Sequence, residues 1–176
     1  MLGVRDWLEI MMRLTPLVLC LGIAASTLPV AVTGQRPDDQ IAPKSAELLK
    51  QGDALLAQGK LIEADDALET ALILDPKNRA AFVSMARVSI KQKLYGQAIK
   101  LTNKALTLEP TDRDALAVQG EAMVELGAVA RAKENLTKLQ KLCGNSGCPQ
   151  VAVLSTAIAR GPALAAAKTP EVPKKN

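Results

Sequence analysis

The sequence predicts an all-α fold in which stacked helix pairs form a right-handed α-solenoid. A 34-residue period runs through the middle of the chain and is clearest at Pro76 and Pro110, each of which follows an acidic residue. A fixed period of this length is typical of stacked helix pairs. The composition agrees, because 48% of the residues are hydrophobic while only one Trp, one Tyr and one Phe are present. A core of Leu, Ala, Ile and Val suits packed helices better than a sheet.

The period gives three helix-turn-helix repeats, at residues 45–78, 79–112 and 113–146. Alanines recur at one place of every repeat, where a larger side chain would force the two helices of a pair apart. Since each pair buries its apolar face only against a neighbour, the end of the stack needs a cover, and residues 149–160 are predicted to be a capping helix. The seven expected helices lie near residues 45–58, 61–75, 79–92, 95–109, 113–126, 129–143 and 149–160.

The recurring residues resemble the tetratricopeptide repeat, whose pattern combines a large apolar residue, Leu-Gly, a later alanine pair and a closing proline. The first repeat matches best, through Gly52, Gly59, Ala64, Ala71 and Pro76. The chain departs from the pattern at Gly144, where the third repeat would have proline, and at the aromatic places, which are largely aliphatic. The resemblance implies a protein–protein interaction scaffold, and the chain looks like the small exported bacterial members of this family.

The resemblance also implies a concave groove lined by the first helix of each pair, with the second, fifth, ninth and twelfth places of each repeat facing it. These places hold Ala46, Leu49, Asp53, Leu56, Ala80, Val83, Arg87, Ile90, Asp114, Ala117, Glu121 and Val124. Asp53, Arg87 and Glu121 form a ladder of alternating charge between apolar residues. Such a groove suits an extended segment or helix with apolar anchors and mixed charge. Alternatively, the three charges pair with one another on an exposed surface and bind nothing.

One specificity of the family is expected to be absent. Some members bind free C-terminal carboxylates through Lys and Asn at the fifth and ninth places of the first repeat. Leu49 and Asp53 occupy those places here. A carboxylate tail would therefore meet an apolar side chain and a like charge instead of two donors.

The sequence does not predict an enzyme. It contains no histidine, which removes His-based triads and the usual metal sites. No glycine-rich phosphate loop is present, and the paired carboxylates are explained by solvated helix faces. We therefore expect a non-catalytic adaptor without a cofactor or metal, which binds a protein or peptide partner. The alternatives are a thiol redox protein that uses Cys143 and Cys148, and a self-associating structural scaffold.

Cys143 and Cys148 flank a Gly-Asn-Ser-Gly loop that replaces the turn between the third repeat and the capping helix. Zinc would need four ligands, and redox motifs normally have two residues between their cysteines instead of four. A structural disulfide is therefore predicted, which in an oxidising compartment contributes about 2 kcal/mol by closing this loop. Free thiols and redox chemistry remain the alternatives, and a cytosolic location would favour them.

Residues 1–34 have the pattern of a secretory signal peptide. Arg13 supplies the positive charge, residues 14–25 form the apolar run, and small residues follow Pro29. The mature chain is then expected to begin near Gln35 and to act outside the cytoplasm, in the periplasm or as a secreted protein. It would carry no membrane span.

The details of processing stay open. The candidate cleavage sites follow Gly34, which is favoured, and Ser26; the candidate start codons are Met1, Met11 and Met12. A lipoprotein signal at Cys20 would need a small residue before the cysteine, and leucine stands there. An uncleaved inner-membrane anchor over residues 14–32 is just long enough, although two prolines interrupt it.

The remaining segments flank a repeat domain at residues 44–160. Residues 35–43 are predicted to be a linker, and residues 161–176 a disordered tail rich in Pro and Lys. The net charge of +4 does not indicate a nucleic-acid partner, because the tail carries much of it and the repeats lack aromatic stacking platforms. A monomer or a weak homo-oligomer is expected.

Overall fold

The computed structural model describes residues 40–144 and 147–162, and all secondary structure in these two ranges is helical. The helices are α1 (Pro43–Ala57), α2 (Leu61–Leu74), α3 (Arg79–Lys91), α4 (Tyr95–Leu108), α5 (Arg113–Glu125), α6 (Val129–Cys143) and α7 (Pro149–Arg160). All seven predicted helices are present, with ends within two residues of those expected. The predicted signal peptide, almost all of the linker, and the tail beyond residue 162 lie outside the described residues.

The helices stack as the period predicts. Helices α1 and α2, α3 and α4, and α5 and α6 form pairs, and the second helix of one pair packs against the first helix of the next. The first helices also contact one another, α1 with α3 and α3 with α5, while α7 packs on both α5 and α6. The prediction of an all-α solenoid is confirmed. None of the helices that the structure describes is long and apolar enough to cross a membrane.

Small residues set the distance between helices. The alanines that recur at one place of α2, α4 and α6 are completely buried, as expected of positions where two helices touch. A Cβ atom added at Gly52 would lie 2.5 Å from Leu68 of α2, and one added at Gly120 would lie 2.5 Å from Leu154 of α7. The two glycines therefore let a buried leucine approach the helix backbone, one inside the first pair and one under the capping helix.

The turn inside each pair needs a left-handed residue at the same place. Gly59 and Gly127 hold this place in the first and third repeats, with φ angles of 76° and 79°. In the second repeat the place is occupied by Lys93, with a φ of 64°. Glycine adopts this conformation without steric cost, whereas a lysine does not. The second repeat therefore contains a strained turn that its neighbours lack.

The junction between α2 and α3 is a buried hydrogen-bond network. The Asp75 carboxylate accepts from the Ala42 amide at 2.7 Å. Asn78 donates to the Ser45 hydroxyl at 2.8 Å, and that hydroxyl donates to the Ala71 carbonyl at 2.8 Å. Because these groups are buried, each hydrogen bond satisfies a polar atom whose burial would otherwise destabilise the folded chain. The network joins the start of α1 to the turn before α3.

Helix α7 closes the C-terminal end as predicted for a cap. Leu154 is fully buried against Gly120 of α5. At the other end of the helix, Arg160 pairs with Glu125 of α5, with 2.9 Å between guanidinium nitrogen and carboxylate oxygen. Cys143 at the end of α6 and Cys148 before α7 are joined by a disulfide, with their Cα atoms 5.7 Å apart. This spacing is ordinary for a disulfide.

Candidate binding groove

The first helices of the pairs surround a cavity of about 450 Å³. Its walls come from α1, α3, α5, the turn before α5, and the start of α7. The lining residues are Asp53, Arg79, Ala80, Val83, Ser84, Arg87, Glu109, Thr111, Asp112, Arg113, Asp114 and Gln150. Most of these side chains are polar or charged, and both charge signs are present. The cavity can therefore offer hydrogen-bond donors and acceptors to an extended chain, with only a small apolar surface.

Seven of the twelve predicted groove residues line this cavity or a smaller neighbouring one of about 220 Å³ between α3, α5 and α7. They are Asp53, Ala80, Val83, Arg87, Asp114, Ala117 and Glu121. The other five do not line either cavity. Ala46, Leu49 and Leu56 are partly buried on α1, while Ile90 of α3 packs against the buried core residues. Val124 is fully buried, so it supports the groove from below and does not present a surface to a partner.

Asp53, Arg87 and Glu121, which form the expected charge ladder, do not pair with one another. Arg87 pairs with Asp114 of α5 at 3.2 Å, and not with Asp53 or Glu121. Asp114 also accepts from the side chain of Gln150 at 3.1 Å, which links α3, α5 and α7 across the cavity. The Asp53 carboxylate accepts from the hydroxyl of Ser84 at 2.6 Å. The contacts of Asp53 with Ser84 and of Arg87 with Asp114 join neighbouring first helices, and Gln150 adds the capping helix.

One wall of the cavity comes from the junction between α4 and α5, which the sequence did not indicate. Asp112 accepts from the Arg79 guanidinium and also caps α5, through the Ala115 amide at 2.6 Å. Glu109 accepts from the amide of Thr111 at 3.1 Å and from its hydroxyl, and these bonds lower the pKa of Glu109. The available signal in the sequence is the run of polar residues after Pro110.

Glu121 lies in a cleft between α5 and α7. It lines the smaller cavity and also a shallower one of about 400 Å³ along α7. Burial raises the pKa of Glu121, and the nearby Arg87 and Arg160 guanidinium groups only partly offset this effect. Both arginines are already paired with other carboxylates, Asp114 and Glu125. Glu121 has no hydrogen bond or ion pair to any side chain that the structure describes.

The described residues hold no cluster of three or more Cys, Asp or Glu side chains that could bind a metal ion. The disulfide lies at the junction of α6 and α7, and Pro149 and Gln150, which follow Cys148 directly, line the groove. The disulfide is thus next to the groove without lining it. What the arrangement offers is a polar, curved surface for another chain.

The chain is thus an all-α solenoid with a polar groove on its first helices, and a sequence comparison relates it to a known family. Residues 55–119 match the family model of the tetratricopeptide repeat, so the predicted resemblance to this family is confirmed. The family is generally a non-catalytic protein-interaction fold. No curated protein matches the sequence significantly.

Solved structures of tetratricopeptide repeat domains share the fold. The Sgt2 domain from Aspergillus fumigatus is 23% identical, with a TM-score of 0.63 over 81% of this chain and 93% of that one. The TPR2B domain of yeast Sti1, solved as a complex with pHsp70, is 20% identical, with a TM-score of 0.60 over 68% and 98%. The second domain of human RPAP3, solved with the HSP70 peptide SGPTIEEVD, is 22% identical, with a TM-score of 0.58 over 66% and 95%. At these identities the likeness shows the fold alone.

Proposed function

We propose that the chain is an adaptor that holds an extended protein or peptide segment in its concave groove, in the cell envelope of a bacterium. The observation that carries the proposal is the cavity between α1, α3 and α5, whose walls combine exposed charges of both signs with small side chains. An extended segment needs backbone donors and acceptors as well as room for its side chains. The complexes of the yeast domain with pHsp70 and of the human domain with an HSP70 peptide support a role in binding a protein segment.

The partner should differ from the peptides in those complexes. Leu49 and Asp53 stand where carboxylate-binding members carry Lys and Asn, and Asp114 adds another acid to the same face. We therefore expect no measurable binding of the HSP70 peptide SGPTIEEVD in isothermal titration calorimetry. Tight binding of this peptide would show that the groove recognises free carboxylates, and that a partner with a free C-terminus should be expected.

The groove can be tested with a charge swap that keeps the net charge constant. Asp53→Lys combined with Arg113→Glu reverses two exposed charges at the cavity, and Glu63→Lys with Lys100→Glu does the same on exposed positions of the second helices. Tagged wild type and both variants would be used to capture partners from the envelope fraction of the native cells. We expect the cavity swap to lose proteins that the wild type and the control swap retain. An identical set for all three would refute the groove as the binding surface.

The envelope location rests on the signal-peptide pattern of residues 1–34 and on the paired cysteines, which suit an oxidising compartment. A fusion of alkaline phosphatase after Arg160 reports export, because that enzyme is active only outside the bacterial cytoplasm. Sequencing the N-terminus of the exported protein then separates cleavage after Gly34 from cleavage after Ser26. Retention of the whole chain in the membrane fraction would instead support an anchor at residues 14–32.

A further inference from the structure

The cleft between α5 and α7 carries a second inference, which rests on the proposed adaptor function and specifies part of the partner. Its floor is the Glu121 carboxyl, half-buried and shared by two adjoining cavities. Apolar side chains form part of its walls: Ala117 of α5 is on one side, and Val153 and Ala157 of α7 are on the other, while Gln150 and Thr156 of α7 are polar. The side chain of Val153 is 49% exposed, although it lies beside a partly buried acid.

The charges around the cleft leave this acid available. Arg87 and Arg160 face Glu121 from either side, but Arg87 is paired with Asp114 at 3.2 Å and Arg160 with Glu125 at 2.9 Å. Lys91, the third cation near Glu121, is exposed at the end of α3. A carboxylate with partly apolar walls and no ion-pair partner among the described residues complements a cation on an aliphatic stem.

We propose that this cleft binds a basic side chain of the partner segment, with the methylene stem on Val153 and Ala157 and the cationic head on Glu121. Lysine and arginine are the side chains with this chemistry, because they cover apolar surface with their stems while their heads stay charged. The capping helix then has a second role, since it supplies the apolar wall of the site. An acidic or purely apolar anchor would leave Glu121 repelled or unpaired.

The test uses the purified full chain, labelled with nitrogen-15, and three end-blocked pentapeptides. They differ only in the central residue, which is lysine in AAKAA, glutamate in AAEAA and norleucine in the third. Norleucine keeps the aliphatic stem and removes the charge. We expect AAKAA to shift the amide signals of Glu121, Val153 and Ala157, and to bind about three- to tenfold more tightly than the norleucine peptide. Glu121→Gln, which is nearly isosteric, should remove this preference, while Glu134→Gln on the exposed side of α6 should retain it.

Two results would overturn the proposal. One is equal binding of the lysine and norleucine peptides to the wild type, and the other is an unchanged preference in Glu121→Gln. Val153→Ser provides a second measurement, because it should weaken both the lysine and norleucine peptides by reducing the apolar wall. The charge swap at Asp53 and Arg113 lies outside this cleft. Partner capture that depends on that swap, together with failure of the lysine preference, would leave the adaptor function standing and reject the basic anchor alone.

Discussion

Asn78 and Asp112 stand at the same place in the first and second repeats, 34 residues apart, and each caps the following helix through the amide three residues later. Beyond the cap, their surroundings differ. Asn78 is 2% exposed and donates to the Ser45 hydroxyl inside the closed network below α1. Asp112 accepts from Arg79, whose side chain is 41% exposed at the wall of the groove. The first junction is closed, whereas the arginine of the second is exposed at the groove.

The turns inside the two repeats differ in the same direction. The first repeat has Gly59 in the left-handed position, while the second has Lys93 there. The first repeat thus has a closed junction and an unstrained turn. The second has a part-buried ion pair, in which only the arginine is exposed, and a strained turn. Corresponding places in two successive repeats therefore form a closed polar network in the first and a wall of the groove in the second.

Truncation of both caps should reveal the difference between the two junctions most clearly. Asn78→Ala removes a helix cap and a buried hydrogen bond, so we expect the free energy of unfolding to fall by about 2–3 kcal/mol. Asp112→Ala removes a cap, but the released Arg79 can be solvated, and about 1–2 kcal/mol is expected. Urea unfolding followed by circular dichroism measures both, with the exposed Gln97→Ala as the control. A larger loss for Asp112→Ala would show that the two junctions are not different in this way.

The third junction, where the disulfide replaces the inter-repeat turn, extends the comparison. Replacing Cys143 and Cys148 with serine should lower the free energy of unfolding by about 2 kcal/mol, because the six-residue loop is no longer closed in the unfolded chain. Wild-type protein in dithiothreitol should show the same urea midpoint as the variant, and the variant itself should not respond to the reductant. An equal midpoint for the wild type with and without dithiothreitol would show that the disulfide does not stabilise the cap.

The strained turn gives a smaller effect, of the opposite sign. Lys93→Gly should raise the free energy of unfolding by about 1 kcal/mol, because glycine accepts a positive φ that costs a lysine about 1–2 kcal/mol. The gain is reduced by the greater freedom of glycine in the unfolded chain. Lys91→Gly, in the last turn of α3, is the control and should be destabilising. Destabilisation by Lys93→Gly would mean that the lysine side chain stabilises the turn through its own contacts.

The helices were predictable because their limits depend on local residues with strong preferences. Pro76 and Pro110 end pairs, Gly59 and Gly127 make turns, and buried alanines recur wherever two helices touch. The period therefore placed every helix end within two residues. Nothing in this part of the prediction required knowledge of how successive pairs are rotated relative to one another.

The groove was less predictable, because its lining depends on that rotation and on side-chain length. Val124 and Ile90 belong to the places expected to face the groove, yet the stacking buries one completely and the other in part. Arg79 reaches the cavity from the start of α3, and Gln150 reaches it from the capping helix. Extending the 34-residue period into α7 would have marked that helix as the first of a fourth pair, on the groove side.

The smallest expected effect is a pH dependence of stability caused by Glu121, which lies in the groove-side cleft between α5 and α7. Because burial raises the pKa of Glu121, the unfolded chain releases this proton at a lower pH than the folded chain does. The charged form is therefore less favourable in the folded state, and its contribution lowers stability as pH rises through the ordinary glutamate range and the folded pKa. Glu121→Gln removes this cost, so it should raise the melting temperature at about pH 7 by at most about 3 °C, since solvent screens a side chain this exposed.

The same substitution should have no stabilising effect at about pH 3, where Glu121 is protonated in both states. Differential scanning calorimetry at the two pH values measures the change, and Glu134→Gln on α6 controls for the general loss of an acid. A stabilisation that is equal at both pH values would assign the effect to packing instead of charge. If instead Glu121→Gln lowers the melting temperature at neutral pH, the carboxylate already has a favourable partner in the folded chain. Glu121 would then be satisfied by its own chain, as Asn78 is at the first junction.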